Sequence, residues 1–393
     1  GQLGNDKIPN YQFYSTVSSV GSPTLNGVAF ASVAQNRMAN STIKWEVTTQ
    51  TDIGIDLGFM NNKLLITADY YDKKTTDILV RVPLVSSYGV GEAPFRNAGT
   101  VRNKGFEFGA AYRGGNKKKL GYEISANIAH VKNKLETLGV TGAKEIFTSD
   151  YKNTQVGRIA EGEPIGHFYV LNALGIFQTQ QEIDNYKDKN GNMIQPLAVP
   201  GDLKFEDVNG DGVISANDRV NAGSSFPTFT YSLNGSVNYG RFDFNMMWTG
   251  SQGNKIFNGL DLGGILMQGA GYNNKTEILN RWTPSHTNTD IPRVSMKDLN
   301  RNNTYSTLYI EDGSYLRLKY LTFGYSFGEN IIGKNISKLR VFATFQNLLT
   351  FTKYSGFDPE IGADVDYSSN IYGVDRGAYP QARTYILGVN FNF

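Results

Sequence analysis

The residues best suited to bind an ion lie in one short segment, residues 207–218. It carries side-chain oxygens at its first, third and fifth positions, a glycine at the sixth for a sharp turn, and a carboxylate at the twelfth. A backbone carbonyl at the seventh position completes the oxygen set of a calcium loop. The predicted ligands are Asp207, Asn209, Asp211, Val213 and Asp218. The segment therefore predicts a Ca²⁺ site.

Two features of this segment keep a metal-free alternative open. Asp218 stands where such loops usually carry a glutamate, whose longer side chain reaches the ion with both oxygens. The flanking residues also lack a convincing helical pattern. Asn, Asp and Gly are equally the residues of ordinary tight turns, because they bond nearby backbone groups or accept a positive φ. With or without metal, we expect the segment to stiffen a long connection.

The sequence lacks the motifs and clusters of residues that are typical of catalytic sites. There is no cysteine, and the three histidines, His130, His167 and His286, stand far apart. Neither a Gly-x-Ser-x-Gly elbow nor a phosphate-binding P-loop occurs. The formal net charge of +2 is too small to indicate a polyanionic partner such as nucleic acid. We therefore predict a protein that is not an enzyme and binds no nucleic acid.

Apolar and polar residues alternate through much of the chain, which is the pattern of strands with one apolar face. The last ten residues show it well, with Ile386 as the one apolar residue on the polar face. Their apolar face consists of Tyr385, Leu387, Val389, Phe391 and Phe393. The same period recurs in residues 53–59, 106–112, 122–128, 229–239, 242–248 and 339–345. Any one of these strands alone would also suit a soluble sandwich.

The lengths of strands and connections favour a membrane barrel. The strands run for about 10 residues, the length of a membrane-crossing strand, and we expect roughly a dozen of them. Short turns at residues 60–63, 113–118 and 240–241 alternate with long connections, predicted to be irregular, at 82–101, 135–226 and 250–315. Short turns at one rim and long loops at the other are typical of outer-membrane barrels. Runs of 18 apolar residues do not occur, so the sequence predicts no spanning helix.

One predicted strand, residues 316–327, breaks the alternation. Leu321, Phe323 and Tyr325 share one parity, whereas Leu316 and Leu318 have the other. A β-bulge near residue 320, or a strand that leaves the bilayer before residue 318, would reconcile the two sets.

Segments along nearly the whole chain resemble, in the same order, those of the SusC/RagA-type TonB-dependent outer-membrane transporters. They include residues 45–58, 70–77, 97–107, 162–169, 175–178, 200–202, 207–212, 248–251, 281–284 and 346–352, and also Tyr315-Leu-Arg-Leu-Lys319, Gly356-Phe-Asp-Pro-Glu360 and Tyr379-Pro-Gln-Ala-Arg383.

The resemblance implies an all-β fold, a transmembrane antiparallel β-barrel with long extracellular loops in the bacterial outer membrane. Residues 1–393 would form the C-terminal portion of a 22-stranded barrel whose lumen is plugged. The N-terminal plug would lie outside this chain. The remaining barrel strands would be a necessary companion, because an open sheet exposes unpaired edges to lipid.

The resemblance also implies a function. Such a transporter imports oligosaccharides or oligopeptides, with a SusD-like surface lipoprotein as its lid and the TonB complex as its source of energy. We expect contacts with the lid or the ligand at Arg158, Glu161, Asp202, Arg281, Asp358 and Glu360. The alternative is a secreted or surface-anchored β-rich ligand-binding protein with a calcium-stabilised loop.

Overall fold

The structure is a computed structural model. It describes residues 14–19, 21–81, 95–116, 120–139, 145–151, 154–262, 273–328, 338–361 and 372–392. None of the helices in these ranges is long and apolar enough to cross a membrane.

Strands make up most of the described chain. In chain order they are β1 (Thr16–Ser19), β2 (Thr24–Leu25), β3 (Val28–Ala29), β4 (Val33–Arg37), β5 (Val47–Phe59), β6 (Leu64–Thr76), β7 (Leu79–Arg81), β8 (Phe95–Asn97), β9 (Thr100–Asn116), β10 (Leu120–Thr137), β11 (Glu145–Tyr151), β12 (Thr154–Ala160), β13 (His167–Leu171), β14 (Ala173–Ile176), β15 (Leu203–Phe205), β16 (Arg219–Ser224), β17 (Phe229–Tyr239), β18 (Phe242–Gln252), β19 (Lys255–Asn258), β20 (Ile310–Asp312), β21 (Tyr315–Phe327), β22 (Lys338–Thr352), β23 (Val374–Asp375) and β24 (Thr384–Asn392).

The helices are short and all belong to the connections. They are α1 (Gln180–Asn185), α2 (Gly259–Asp261) and three 3₁₀ turns at Ala216–Asp218, Thr276–Asn280 and Thr307–Tyr309.

Nine long strands form one sheet in the order β24-β22-β21-β18-β17-β10-β9-β6-β5. Every neighbouring pair is antiparallel. The strands are 9 to 18 residues long, so several exceed the length that is needed to cross a bilayer. In the described part of the chain the sheet does not close, since β5 and β24 each pair on one side. Phe393, which we assigned to the last strand, lies outside the described residues.

The register divides the sheet into two faces, because directly paired residues lie on the same side. We call them the apolar face and the polar face. One row of the apolar face crosses all nine strands through Phe59, Leu64, Tyr112, Ile124, Gly235, Met246, Leu321, Phe345 and Tyr385. One row of the polar face runs through Asp56, Thr67, Gly109, Asn127, Ser232, Thr249, Arg317 and Thr350.

The apolar face is exposed, as a surface that contacts lipid must be. Ile53 on one edge strand is 70% exposed and Leu387 on the other is 86% exposed. In water such a continuous apolar surface would drive aggregation, whereas in a bilayer it is the stable arrangement. The predicted alternation, and with it the predicted antiparallel barrel wall, is confirmed.

Two of the predicted short turns and the bulge are also confirmed, whereas residues 113–116 of the third predicted turn, 113–118, belong to β9. Residues 60–63 connect β5 to β6, and Gly240, with a φ of +58°, and Arg241 connect β17 to β18. In β21 the register against β18 shifts between Leu318 and Tyr320, which pair with the consecutive residues Trp248 and Met247, so Lys319 is an extra residue. The shift places Leu316 and Leu318 on the apolar face together with Leu321.

The prediction that the long connections are irregular is wrong. We call their described parts, within residues 138–228, 253–314 and 353–383, the loop layer. They contain a four-stranded sheet (β11-β12-β13-β16), a three-stranded sheet (β20-β19-β23) and the pair β14-β15. Their main core consists of Val156, Phe168, Val170, Phe257, Leu262, Tyr309 and Val374. The strands are too short for alternation to show, which is why the sequence pattern missed them.

Candidate functional site

A cleft opens in the loop layer and is the best candidate for a binding surface. Its volume is about 570 Å³, which suits a small ligand or part of a larger one. Three separate segments line it, residues 194–197, 213–219 and 299–305, together with the buried Phe205. Apolar side chains at its rim stay exposed, including Leu197 at 59%, Val213 at 61% and Leu299 at 58%.

Asp202, a predicted contact residue, anchors one side of this region from the inside. It is fully buried, and one carboxylate oxygen accepts hydrogen bonds from Arg293 Nε at 2.6 Å and Asn302 Nδ2 at 2.8 Å. The other accepts from the amide of Val199 at 2.9 Å. In this structure Asp202 therefore holds a turn in place.

The turn before Asp202 lies where three segments of the family pattern come together. Gly201 has a φ of +95°, and a Cβ there would lie 2.4 Å from the ring of Trp282. Only glycine allows both the backbone angle and this approach. Trp282 Nε1 in turn donates to Gln178 Oε1 at 2.8 Å. Segments 175–178, 200–202 and 281–284 therefore meet at one corner.

Asp358 and Glu360 form a second corner together with the first residues of β21. Arg317, only 3% exposed at its side chain, donates to Asp358 Oδ1 at 2.7 Å and also bonds Glu360. Lys319 Nζ lies 2.7 Å from Glu360. The other oxygen of Asp358 accepts from the amide of Gln381 at 2.9 Å. Segments 315–319, 356–360 and 379–383 thus converge on one ionic cluster.

Hydrogen bonding also sets the protonation of Asp358. Burial alone would raise the pKa of its carboxyl, but hydrogen bonds from Arg317 and from the amides of Gln381 and Glu360 together hold that pKa below its usual value. Asp358 is therefore a carboxylate at neutral pH. A charged pair this deeply buried fixes the position of the loop above β21.

Arg158 belongs to a third cluster, on β12. Its guanidinium lies 3.6 Å from the centre of the Tyr169 ring, and it pairs with Glu145 at 3.2 Å and Glu163 at 3.3 Å. His167 beside it is 1% exposed and donates from Nδ1 to the carbonyl of Pro164 at 2.9 Å. Burial lowers the pKa of His167, and the nearby Arg158 charge lowers it further, against the opposing effects of Pro164 and Glu163. The histidine is therefore neutral at pH 7.

The remaining two predicted contact residues make simple local bonds. Glu161 accepts from the amide of Leu138 at 2.7 Å, which ties β12 to the end of β10. Arg281 donates to the carbonyl of Ile278 at 3.3 Å and ends a 3₁₀ turn. Contact of any of the six residues with a lid or ligand stays a prediction.

The predicted calcium loop is held by its own backbone. Asp207 accepts from the amides of Gly210 and Gly212, both at 2.9 Å. Asp218 is fully buried and turns inward, accepting from the amide of Ser215 at 2.7 Å and that of Val208 at 3.0 Å. Its carboxylate thus caps the loop through hydrogen bonds from backbone amides.

Metal binding by this loop therefore depends on its other oxygens. Asp211 accepts from the amide of Val213 at 2.9 Å and from Asn209 Nδ2 at 2.9 Å. Among the described residues there is no group of three or more His, Cys, Asp and Glu side chains arranged to hold a metal. The donor set seen here fits a hydrogen-bonded turn better than a bidentate calcium loop. Binding of Ca²⁺ stays a prediction.

The cleft itself was missed at the level of sequence. Its lining residues come from three segments without periodicity, and Leu299 stands between polar residues in the sequence. A usable signal was the aromatic content of the connections, since Tyr305 also lines the cleft.

Comparison with known proteins identifies the family. The family model described as TonB dependent receptor-like, beta-barrel, matches residues 6–348. The chain belongs to the TonB-dependent receptor β-barrel family. The chain is 34% identical over 408 residues to TonB-dependent receptor P3 of Formosa agariphila, covering 100% of the chain and 38% of that protein. It is 27% identical over 376 residues to TonB-dependent receptor SusC of Bacteroides thetaiotaomicron, covering 93% and 34%.

A solved structure shows the same fold. The structure of the RagAB peptide transporter superposes with a TM-score of 0.79 at 24% identity, and the match covers 100% of this chain and 40% of that one. The resemblance to SusC/RagA-type proteins is thus confirmed. The chain spans about two fifths of the length of these relatives. The sheet described above is accordingly part of a barrel wall.

Proposed function

We propose that the chain is the C-terminal portion of an outer-membrane importer that takes up oligosaccharides or oligopeptides. The observation that carries the proposal is the joint arrangement of an exposed apolar face, a polar face and a folded loop layer with a cleft at one rim of the sheet. A barrel wall of this kind separates lipid from a polar lumen. Membership of the TonB-dependent receptor family supports the same function.

The edges of the sheet support a companion segment. The outer edges of β5 and β24 have no strand partner in the described part of the chain, although both strands carry apolar side chains suited to lipid. Unpaired backbone groups in hydrocarbon cost several kcal/mol each, so they need partners. In our proposal the remaining strands and the plug of the receptor close the barrel, and the plug transmits energy from the TonB complex.

The rim of the cleft supports a lid. Leu197, Val213 and Leu299 expose apolar surface on the loop layer, on the side of the sheet away from the short turns. Exposed apolar patches rimmed by polar groups are typical of protein contacts. We assign this rim to a SusD-like surface lipoprotein, which would enclose the ligand against the cleft. The RagAB structure is described as a peptide transporter, which supports peptides as one substrate class.

The test combines partner capture with transport. The protein is purified from outer membranes with a mild detergent, and co-purifying lipoprotein and small ligands are identified by mass spectrometry. Uptake of the identified ligand is then measured with and without an uncoupler of the proton gradient. The proposal predicts a lipoprotein partner and energy-dependent uptake. Uptake that is unaffected by the uncoupler would contradict it.

Two matched variants locate the lid contact. We expect Leu197→Glu together with Leu299→Glu to reduce lipoprotein capture about tenfold or more, because charges would replace apolar contacts at the rim. Leu279→Glu, at a leucine that is 74% exposed and does not line the cleft, is the control and should keep the partner. Equal capture of the lipoprotein by the unmodified protein, the double variant and the control would mean that the lid contacts a different surface.

A further inference from the structure

A cluster of positive charge lies on the apolar face, where β6, β9 and β10 approach the loop layer. Register places Lys74 beside Arg102 and Arg102 beside Lys134. One row lower, Asp72 lies beside Lys104 and Lys104 beside Lys132. We call these five cations the basic belt.

Aromatic side chains form the next row of the same face. Tyr70, Phe106, His130 and Phe229 are paired in register across four strands. The ring of His130 lies 5.4 Å from that of Phe106 and 4.9 Å from that of Phe229. Aromatic girdles of this type mark the boundary between hydrocarbon and head groups in barrels. A residue two positions further along a strand lies about 7 Å away. The basic belt therefore lies at head-group depth.

The acidic side chains nearby neutralise part of the belt. Asp72 pairs with Arg102 at 2.5 Å and with Lys104 at 3.3 Å. Glu136 pairs with Lys74 at 3.0 Å and with Arg102 at 3.3 Å. Two carboxylates thus serve three cations, and these three remain 37% to 47% exposed at their side chains.

Lys132 and Lys134 complete the belt, and Glu136, two residues beyond Lys134 on β10, is paired with Lys74 and Arg102 instead. Both are exposed, and within the part of the chain that the structure describes neither side chain has an ion-pair or hydrogen-bond partner. The belt therefore carries surplus positive charge, and two of its exposed lysines lie on β10.

The opposite face of the same strands shows that this is not a generally charged rim. At the same height the polar face of β6, β9 and β10 carries Tyr71, Lys73, Asn103, Val131 and Asn133, with one cation among them. An ordinary solvated end of a sheet would place charge on both faces. Here the cations lie on the face that meets lipid.

We propose that the basic belt binds the phosphate groups of an anionic lipid head group in the leaflet next to the loop layer. The inference rests on the membrane placement in the proposed function. Lys132 and Lys134 supply mobile point charges, and Arg102 supplies a planar donor group held in place by Asp72. Basic clusters at head-group depth attract anionic lipids in this way. The bound lipid would fix the depth of β9 and β10, and with them the base of the loop layer.

The test measures lipid retention by the purified protein in detergent. A lipid with phosphate groups on its head, or phosphatidylcholine as the zwitterionic control, is added, and retained lipid is counted by native mass spectrometry. The variant is Lys132→Gln with Lys134→Gln. The control is Lys73→Gln, which removes one positive charge from the polar face one residue from Lys74. Inorganic phosphate is added at millimolar concentration as a competitor.

We expect the double variant to retain the phosphorylated lipid about tenfold less than the unmodified protein, and Lys73→Gln to retain it fully. Equal retention by the double variant would overturn the proposal, as would equal loss in Lys73→Gln. Full displacement by inorganic phosphate would show a free-anion site instead of a lipid site. Dependence on detergent for solubility is measured for every variant and tests the membrane placement separately. Failure of the lipid proposal can therefore be distinguished from failure of the proposed function.

Discussion

The nine-stranded sheet and the loop layer are stabilised by different means. In the sheet, both faces leave side chains exposed, and the continuous ladder of backbone hydrogen bonds connects the strands. In the loop layer, Phe168, Phe257 and Val156 are buried as in a soluble protein, and ion pairs are buried with them. The sheet is therefore sensitive to which face receives a charge. The loop layer is sensitive to loss of packing and of charge partners.

The largest effect is expected at the buried corner of the loop layer. Arg317→Met should lower the free energy of unfolding by about 3 to 5 kcal/mol, because it leaves buried Asp358 without its charge partner. Urea unfolding of the protein in detergent, followed by tryptophan fluorescence, measures it. Lys319→Met is the control, since Lys319 is 32% exposed and should cost about 1 kcal/mol or less. Equal costs for the two would contradict a buried ionic corner.

Charge on the sheet gives the next effect and separates its faces. Leu233→Arg places a cation on the apolar face of β17, where an arginine near the membrane midplane costs about 2 to 4 kcal/mol. Asn234→Arg places the same side chain on the polar face and should change stability little. Folding yield in lipid vesicles, measured by the shift in electrophoretic mobility on heating, compares them. Similar losses at both positions would mean that the faces are not distinguished by lipid.

Acid should weaken the loop layer through His167. Because the folded state lowers the pKa of His167, the unfolded chain takes up a proton at a higher pH than the folded chain does. This residue's contribution to stability therefore decreases as pH falls through about 6.5, the ordinary histidine pKa. Urea midpoints at several pH values should show this slope in the unmodified protein. His167→Gln should reduce the dependence of the urea midpoint on pH, whereas His286→Gln, at an exposed histidine, should leave this dependence unchanged.

Calcium should have the smallest effect on stability. The loop at residues 207–218 is already held by backbone hydrogen bonds to Asp207 and Asp218. If Ca²⁺ binds through Asp207, Asn209 and Asp211, calorimetric titration will show one site at up to millimolar metal, and Asp211→Asn will weaken it. No heat of binding at millimolar Ca²⁺ would refute the calcium prediction.

The sheet was predictable because its faces and turns depend on residues that are close together in the sequence. Alternation within each strand predicted the two faces, and the change of parity between Leu318 and Leu321 predicted the bulge, which lies at Lys319 in the pairing with β18. Turn residues such as Gly240 gave the register of β17 and β18, since a tight hairpin allows few pairings.

The loop layer was not predictable because its contacts are distant in sequence. Phe168 packs against Phe257, and Arg293 bonds Asp202 across 91 residues. The segments that resemble the family contain the residues of both corners. The sequence alone did not show that these segments meet. The resemblance predicts Asp202, Asp358 and Glu360 as contact residues, and the structure shows each of them bonded within the chain.

The most direct test of the membrane-spanning sheet uses the absence of cysteine from the chain. Single cysteines at positions 231 to 237 of β17 receive a nitroxide label, and collision rates with oxygen and with a polar nickel complex are measured in lipid vesicles. We predict a period of two, with oxygen favoured at Tyr231, Leu233 and Val237 and excluded at Ser232, Asn234 and Ser236. Equal access of the polar complex to both faces would contradict a barrel wall.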